Sequence, residues 1–237
     1  MYRDKQILAV VPARGGSKGI KLKNLREVNG VSLTAMAGEV IAQMDCIDRA
    51  VVSTDHELIA EAAVAAGIDA PFFRPESLSR DRVGDFEVLQ HALLEMEKLD
   101  QRQYDFVVML QPTSPMRRAE QVEAAIRMCV EGGWDSVWTV SPTDSKSHPL
   151  KQLRVTEEGE MSYYDPQGKA IIARQQLSPV YHRNGVAYVV RRNCIMEHGN
   201  LTGERSAAYV IDEYMANIDT ELDLAICEFL MERQGSA

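Results

Sequence analysis

The chain lacks an excess of positive charge: 26 Lys and Arg stand against 35 Asp and Glu, a formal net charge of -9. That balance argues against a nucleic-acid binder or a membrane-surface protein. Long apolar runs are missing too, and none approaches the roughly 20 residues that span a bilayer. The opening "MYRDKQILAVVPA" holds only a short apolar stretch and reads as a first strand, not a signal peptide. Cysteines are few and scattered. Cys46, Cys129, Cys194 and Cys227 show no C-x-x-C spacing, which speaks against a zinc site or a disulfide frame and for a reducing cytoplasm. His56, His91 and His198 have no ligand spacing either.

What is present is an ordinary globular composition, 45% hydrophobic over 237 residues, enough for one large domain or a domain with an insertion. "ILAVV", "AVVST", "FVVML" and "SVWTV" are short apolar runs, as expected of strands buried on both faces. Between them, residues such as Leu33, Met36, Ala37 and Val40, or Val122, Ala125, Ile126 and Cys129, recur at helical spacing. This alternation predicts an α/β fold: a Rossmann-like, mostly parallel sheet with helices on both faces and ligands beyond the carboxyl ends of the strands. From about Ser141 the pattern changes, and "MSYYDPQGKAII" reads as a hairpin turning at Asp165-Pro166-Gln167-Gly168. Residues 141–178 are therefore expected to form an inserted β-rich arm. Residues 1–140 and 179–237 make up the α/β domain.

"VVPARGGSKGIKLKNL" (10–25) follows the first strand directly. Five of the 26 basic residues fall between Arg14 and Arg26. A strand, a glycine-rich turn and a helix aim backbone N–H groups at an anion. Gly15 and Gly16 allow close approach, Ser17 adds a hydroxyl, and Arg14, Lys18 and Lys23 add charge. The sequence is neither a Walker A loop nor a G-x-G-x-x-G turn, and a solvated basic turn is the plain alternative. "LQPTSPMR" (110–117) ends a buried strand. Gln111 there can both donate and accept hydrogen bonds, unless Pro112 and Pro115 simply impose a turn. In "NIDTELDL" (217–224), Asp219 or Thr220 can cap the last helix with Asp223 closing a capping box. The same carboxylates can instead serve a hard cation beside phosphate oxygens.

These stretches, with "VVSTD" (51–55), resemble in order the signature motifs of the sugar-acid cytidylyltransferases, which include the acylneuraminate cytidylyltransferases. The resemblance runs from about Ile7 to Leu230. It implies that the loop holds the triphosphate of CTP, with Arg14, Gly15, Ser17, Lys18, Lys23, Asn24, Arg74 and Gln111 on the nucleotide. It implies Mg2+ at Asp219, with Arg14, Lys23 and Asp219 serving catalysis. The family's D-x-D is N-x-D here, so Asn217 offers an amide where a carboxylate is usual. A sugar-acid pocket is implied at Lys151, Arg174, His182, Arg183 and Tyr188, with an arginine best suited to grip a carboxylate. At "YHRNG" the family's arginine falls on His182, so either His182 or the shifted Arg183 takes the role. The implied reaction transfers CMP from CTP to the anomeric hydroxyl of a nine-carbon 2-keto sugar acid, releasing pyrophosphate. An octulosonate-activating relative and a non-catalytic nucleotide-binding module are the alternatives. A homodimer through the arm is expected as well, because Met161, Tyr163, Tyr164, Ile171 and Ile172 exceed what one thin hairpin can bury.

Overall fold

The computed structural model describes residues 2–235. Its first strand, β1 (Ile7–Pro12), is buried along almost its whole length. Ile7, Ala9 and Val11 point to one layer of the core and Leu8 and Val10 to the other, the two-residue alternation of a strand with both faces covered. A two-stranded ribbon, β2 (Glu27–Val28) and β3 (Val31–Ser32), leads into α1 (Leu33–Ile41), whose start is capped by the Ser32 hydroxyl accepting from Ala35 N–H. β4 (Arg49–Ser53), α2 (Glu57–Ala65), α3 (Asp85–Asp100), β5 (Phe106–Met109), α4 (Ala119–Gly132) and β6 (Ser136–Pro142) complete the expected alternation.

The central sheet runs β10-β6-β9-β5-β1-β4, where β9 is Tyr181–Arg191 and β10 is Ser206–Val210. The β1–β4, β1–β5 and β6–β10 pairs are parallel. β9 is antiparallel to both β5 and β6, so a mostly parallel sheet carries one reversed strand in its middle. α1, α2, α4 and the last helix, α5 (Glu221–Gly235), contribute to one core layer, and α3 with Cys194 and Ile195 forms the other. Helices thus cover both faces, as the sequence pattern requires.

β9 does not pair evenly with β6. Between the Trp138–Tyr188 and Val140–Arg183 pairs its register slips, and Gly185 at φ +73° takes up the irregularity. Buried Asn184 and Thr139 satisfy the interrupted ladder. The Thr139 hydroxyl donates to Asn184 Oδ1 at 2.6 Å and accepts from Ala187 N–H at 2.9 Å. The Asn184 amide donates to Ser141 Oγ at 3.0 Å.

The segment between β6 and β9 forms its own two-stranded sheet, but its hairpin lies elsewhere than at Asp165–Gly168. β7 (Leu153–Val155) pairs with β8 (Met161–Tyr163), and the chain reverses near Gly159, at φ +86°. Asp165-Pro166-Gln167-Gly168 instead opens a single 3-10 turn, Pro166–Ala170, with the Asp165 side chain accepting from Gln167 N–H. An Asp followed by Pro is the chemistry of a helical start as much as of a hairpin turn. Here the start prevails. Met161, Tyr164 and Ile172 are exposed, Ile172 at 93%. Among the described residues no helix is long and apolar enough to cross a membrane.

Candidate active site

The carboxyl ends of β1 and β5 open on one concavity lined by Arg14, Ser17, Lys23, Asn24, Arg74, Asp85 and Gln111, among others. Six of the eight residues expected on a nucleotide therefore meet. Asn24 is buried and holds the loop from within, its amide donating to the Arg14 carbonyl at 2.9 Å while its own carbonyl accepts from Thr34 Oγ1 at 2.8 Å. The Lys23 ammonium donates to Ile218 O and to Asp219 Oδ1, both at 2.8 Å. That contact ties the first loop to the last strand-to-helix turn, 195 residues away.

Gly15 has a different part from the one expected. Its N–H is taken by Asp55 Oδ1 at 2.8 Å, and a side chain there would meet the His56 ring at 2.7 Å. It is a close-packing glycine, not an open anion donor. Gly19 likewise lies directly against the backbone carbonyl of Asp219. Lys18 stands outside the concavity lining, 81% exposed, and reaches Asp81 at 2.5 Å. Asp81 also accepts from Arg14 Nη2 at 3.0 Å. The hydrogen bond from Lys18, with the charges of Lys18 and Arg14, holds the Asp81 carboxyl below its ordinary pKa. The loop cations are thus already faced by carboxylates, Asp81 on one side and Asp219 on the other.

Arg74 reads from the sequence as a loop arginine, yet it is 6% exposed. Its Nε donates to Ser53 Oγ at 3.0 Å and its Nη2 to Ser53 O. Burial lowers its pKa to about 10. Arg117, the last residue of "LQPTSPMR", has no role legible from the sequence beyond that motif. It is 5% exposed and donates through Nη2 to the carbonyls of Gln111 and Gly185. It joins the loop that carries Gln111 to the bulge of β9, and burial pushes its pKa down to about 9. Ser114 Oγ adds a second tie, donating to Asn184 O at 2.8 Å. A Cβ at Gly185 would strike Ser114 Oγ and sit 2.6 Å from Gln111 Oε1. Gly185→Ala is therefore expected to lower the melting temperature and displace Gln111, raising KM for nucleotide; thermal melts and steady-state kinetics read the two effects.

The expected sugar-acid residues divide. Tyr188 is buried with its ring 5.1 Å from Trp138, and Arg183 lies over the same indole at 5.7 Å. Burial raises the Tyr188 pKa, and the Arg183 charge opposes that rise. Adjacent strand residues face opposite sides, and His182 makes its contact elsewhere, with Thr143 Oγ1 at 3.1 Å. Arg183, not His182, accompanies Tyr188. Lys151 and Arg174 are exposed on the arm, outside the concavity, with Arg174 beside His148 and Tyr181 in a separate groove.

At "NIDTELDL" the structure separates cap from carboxylate. The Asp223 side chain accepts from the N–H groups of Asp219 and Thr220 and from Thr220 Oγ1, and Thr220 Oγ1 accepts from Asp223 N–H in return. Thr220 and Asp223 form the capping box. Asp219, 73% exposed, is left to Lys23. Asn217 and Asp219 are both exposed around fully buried Ile218.

The profile of the family described as cytidylyltransferase matches residues 8–232. The chain belongs to the cytidylyltransferase family. It is 32% identical over 235 residues to a CMP-N,N'-diacetyllegionaminic acid synthase of Legionella pneumophila, covering 98% of this chain and 99% of that one. It is 27% identical over 231 residues, 97% of each chain, to post-translational flagellin modification protein B of Campylobacter coli. A solved structure of CMP:2-keto-3-deoxy-manno-octonic acid synthetase complexed with CTP superposes with a TM-score of 0.71 over 97% of this chain and 99% of that one. At 17% identity, that superposition speaks for the fold.

Proposed function

We propose that this cytidylyltransferase transfers CMP from CTP to the anomeric hydroxyl of a nonulosonic acid and releases pyrophosphate. The observation that carries the reading is the single concavity in which the loop cations Arg14 and Lys23 meet Arg74 and Gln111 at the sheet's carboxyl edge. Relatives that cover nearly the whole chain are named for legionaminic acid, whereas the octulosonate enzyme is matched at the level of fold. The reaction is an in-line displacement: the sugar hydroxyl attacks the α-phosphorus and pyrophosphate leaves. It calls for positioning and charge neutralisation more than covalent catalysis. Arg14, Ser17 and Lys23 hold the phosphates, Arg74 and Gln111 the base, and Arg183 and Tyr188 the acceptor.

Mg2+ fits the donors present. Asp219 provides an exposed carboxylate and Asn217, also exposed, a neutral oxygen, hard ligands for a cation that would take its remaining oxygens from phosphate and water. When bound, it neutralises phosphate charge. The cation would share the Asp219 carboxylate with the Lys23 ammonium, which donates to Oδ1 at 2.8 Å. A panel of nonulosonic acids with CTP and Mg2+, scored for pyrophosphate, tests the assignment; no release with any acceptor overturns it.

The arm supports a homodimer. Its apolar side chains Met161, Tyr164 and Ile172 are uncovered within one chain, and Lys151 and Arg174 do not line the chain's own concavity. We expect a C2 dimer in which these two residues complete the partner's sugar-acid pocket. Light scattering should give twice the chain mass at micromolar concentration. Mixing an Arg14→Ala chain with an Arg174→Ala chain should restore activity that neither has alone. An active monomer, or no recovery after proven subunit exchange, rules this out. The four cysteines are free and buried, in keeping with a reducing cytoplasm.

A further inference from the structure

Asp85 is a carboxylate in the same concavity to which neither the sequence motifs nor the proposed chemistry gives a task. It is the first residue of α3, after Gly84 at the N-cap. It lines the concavity together with Arg74, Gln111, Leu78, Val83 and Val88. No described residue gives its carboxylate a hydrogen bond or an ion pair. Burial raises its pKa, and the charges of Arg183 and then Arg74, acting without contact, oppose that rise. Such a carboxylate, half-buried and beside apolar side chains, is costly to keep unless a ligand donates to it. The helix N-terminus favours its ionised form.

The occupant of this part of the concavity, on the CTP reading, is the base. Cytosine and uracil differ at one exocyclic position. Cytosine carries the N4 amino donor, uracil the O4 acceptor. Gln111 cannot tell them apart strongly, because an amide turned over offers its oxygen to one and its nitrogen to the other. Arg74 only donates, and with Nε and Nη2 held by Ser53 it can address the acceptors O2 and N3. An ionised carboxylate only accepts. We infer that Asp85 is the specificity-determining residue for the base, accepting from the N4 amino group of cytosine and repelling the O4 oxygen of uracil. Carboxylates are the side chains that pair with this amino group when proteins read cytosine edges. Against the rival role, accepting from a sugar hydroxyl, stands the lining: Arg74 and Gln111 share this concavity with Asp85, while Arg183, whose charge also reaches Asp85, and Tyr188 do not line it.

The inference rests on the CTP reading, and titration calorimetry of the full chain with CTP and with UTP, in Mg2+ and without acceptor sugar, separates the two. The wild type is expected to prefer CTP by roughly tenfold or more, the discrimination a good base-edge pair supplies. Asp85→Asn should nearly erase the preference, with UTP binding gained, since the amide can donate to O4. Asp85→Ala should also lose it, with CTP binding weakened and UTP not improved. A wild type that binds neither nucleotide overturns the CTP reading itself. A wild type that binds CTP, with both variants keeping its full preference over UTP, overturns the role of Asp85 alone.

Discussion

Arg14→Ala and Lys23→Ala should each lower kcat/KM for CTP at least tenfold while the protein still folds. The size follows from the chemistry removed: a charge-assisted contact to phosphate is worth about 1.5–3 kcal/mol, and about 1.4 kcal/mol is a factor of ten. The structure says why folding should survive. Arg14 contacts Asp81 at 3.0 Å and Ser79 O at 3.4 Å, both on the loop that covers the site, and partly exposed pairs contribute little to stability. Lys23 is more enclosed, with 15% of its side chain exposed and the Ile218 carbonyl as an acceptor. Its alanine variant should therefore lose a few degrees in melting temperature, more than the Arg14 variant. Wild-type kinetics in both variants would remove the phosphate-loop assignment; melting curves recorded alongside establish that the loss is not unfolding.

Asp219→Asn and Asp223→Ala should fail in opposite ways. Asp219 caps nothing: its carboxylate faces Lys23, and the cap of α5 is made by Thr220 and Asp223. Asp219→Asn should therefore abolish most Mg2+-dependent turnover with little change in melting temperature. Asp223→Ala removes the acceptor for two N–H groups and one hydroxyl. Losing such a cap costs about 0.5–2 kcal/mol, a drop of several degrees at most for a domain of this size, and turnover should largely remain. Asn217→Asp restores a second carboxylate beside the first and should be tolerated or tighten Mg2+ binding, read as a lower Mg2+ concentration at half-maximal rate. The reverse pattern, with Asp219→Asn melting early and turning over normally, would make Asp219 structural and take the cation away from it.

The sequence alone determined the layered α/β plan. Continuous apolar runs such as Ile7–Val11 require cover on both faces, and helical spacing between them supplies it. The sequence also placed the basic loop at a strand's carboxyl end, and the capping reading of "NIDTELDL" holds: Thr220 and Asp223 cap, while the Asp219 side chain caps nothing and accepts from Lys23. These are local properties, set by residue type and by spacing within a turn or two. Tertiary structure decided the rest. An apolar run such as "GVAYVV" is the same pattern in either direction, so that β9 enters antiparallel between β5 and β6 depends on partners 39 to 85 positions earlier in the chain. The burial of Arg74 and Arg117 depends on carbonyls of Ser53 and Gly185, which no local pattern brings near. The loss of Gly15 N–H to Asp55, the facing of Arg14 and Lys18 by Asp81, and the solitary carboxylate of Asp85 are likewise products of packing. An arginine or a carboxylate looks the same in the sequence whether it meets water, a backbone carbonyl or a ligand. Which of the three it meets is fixed only when distant segments close around it.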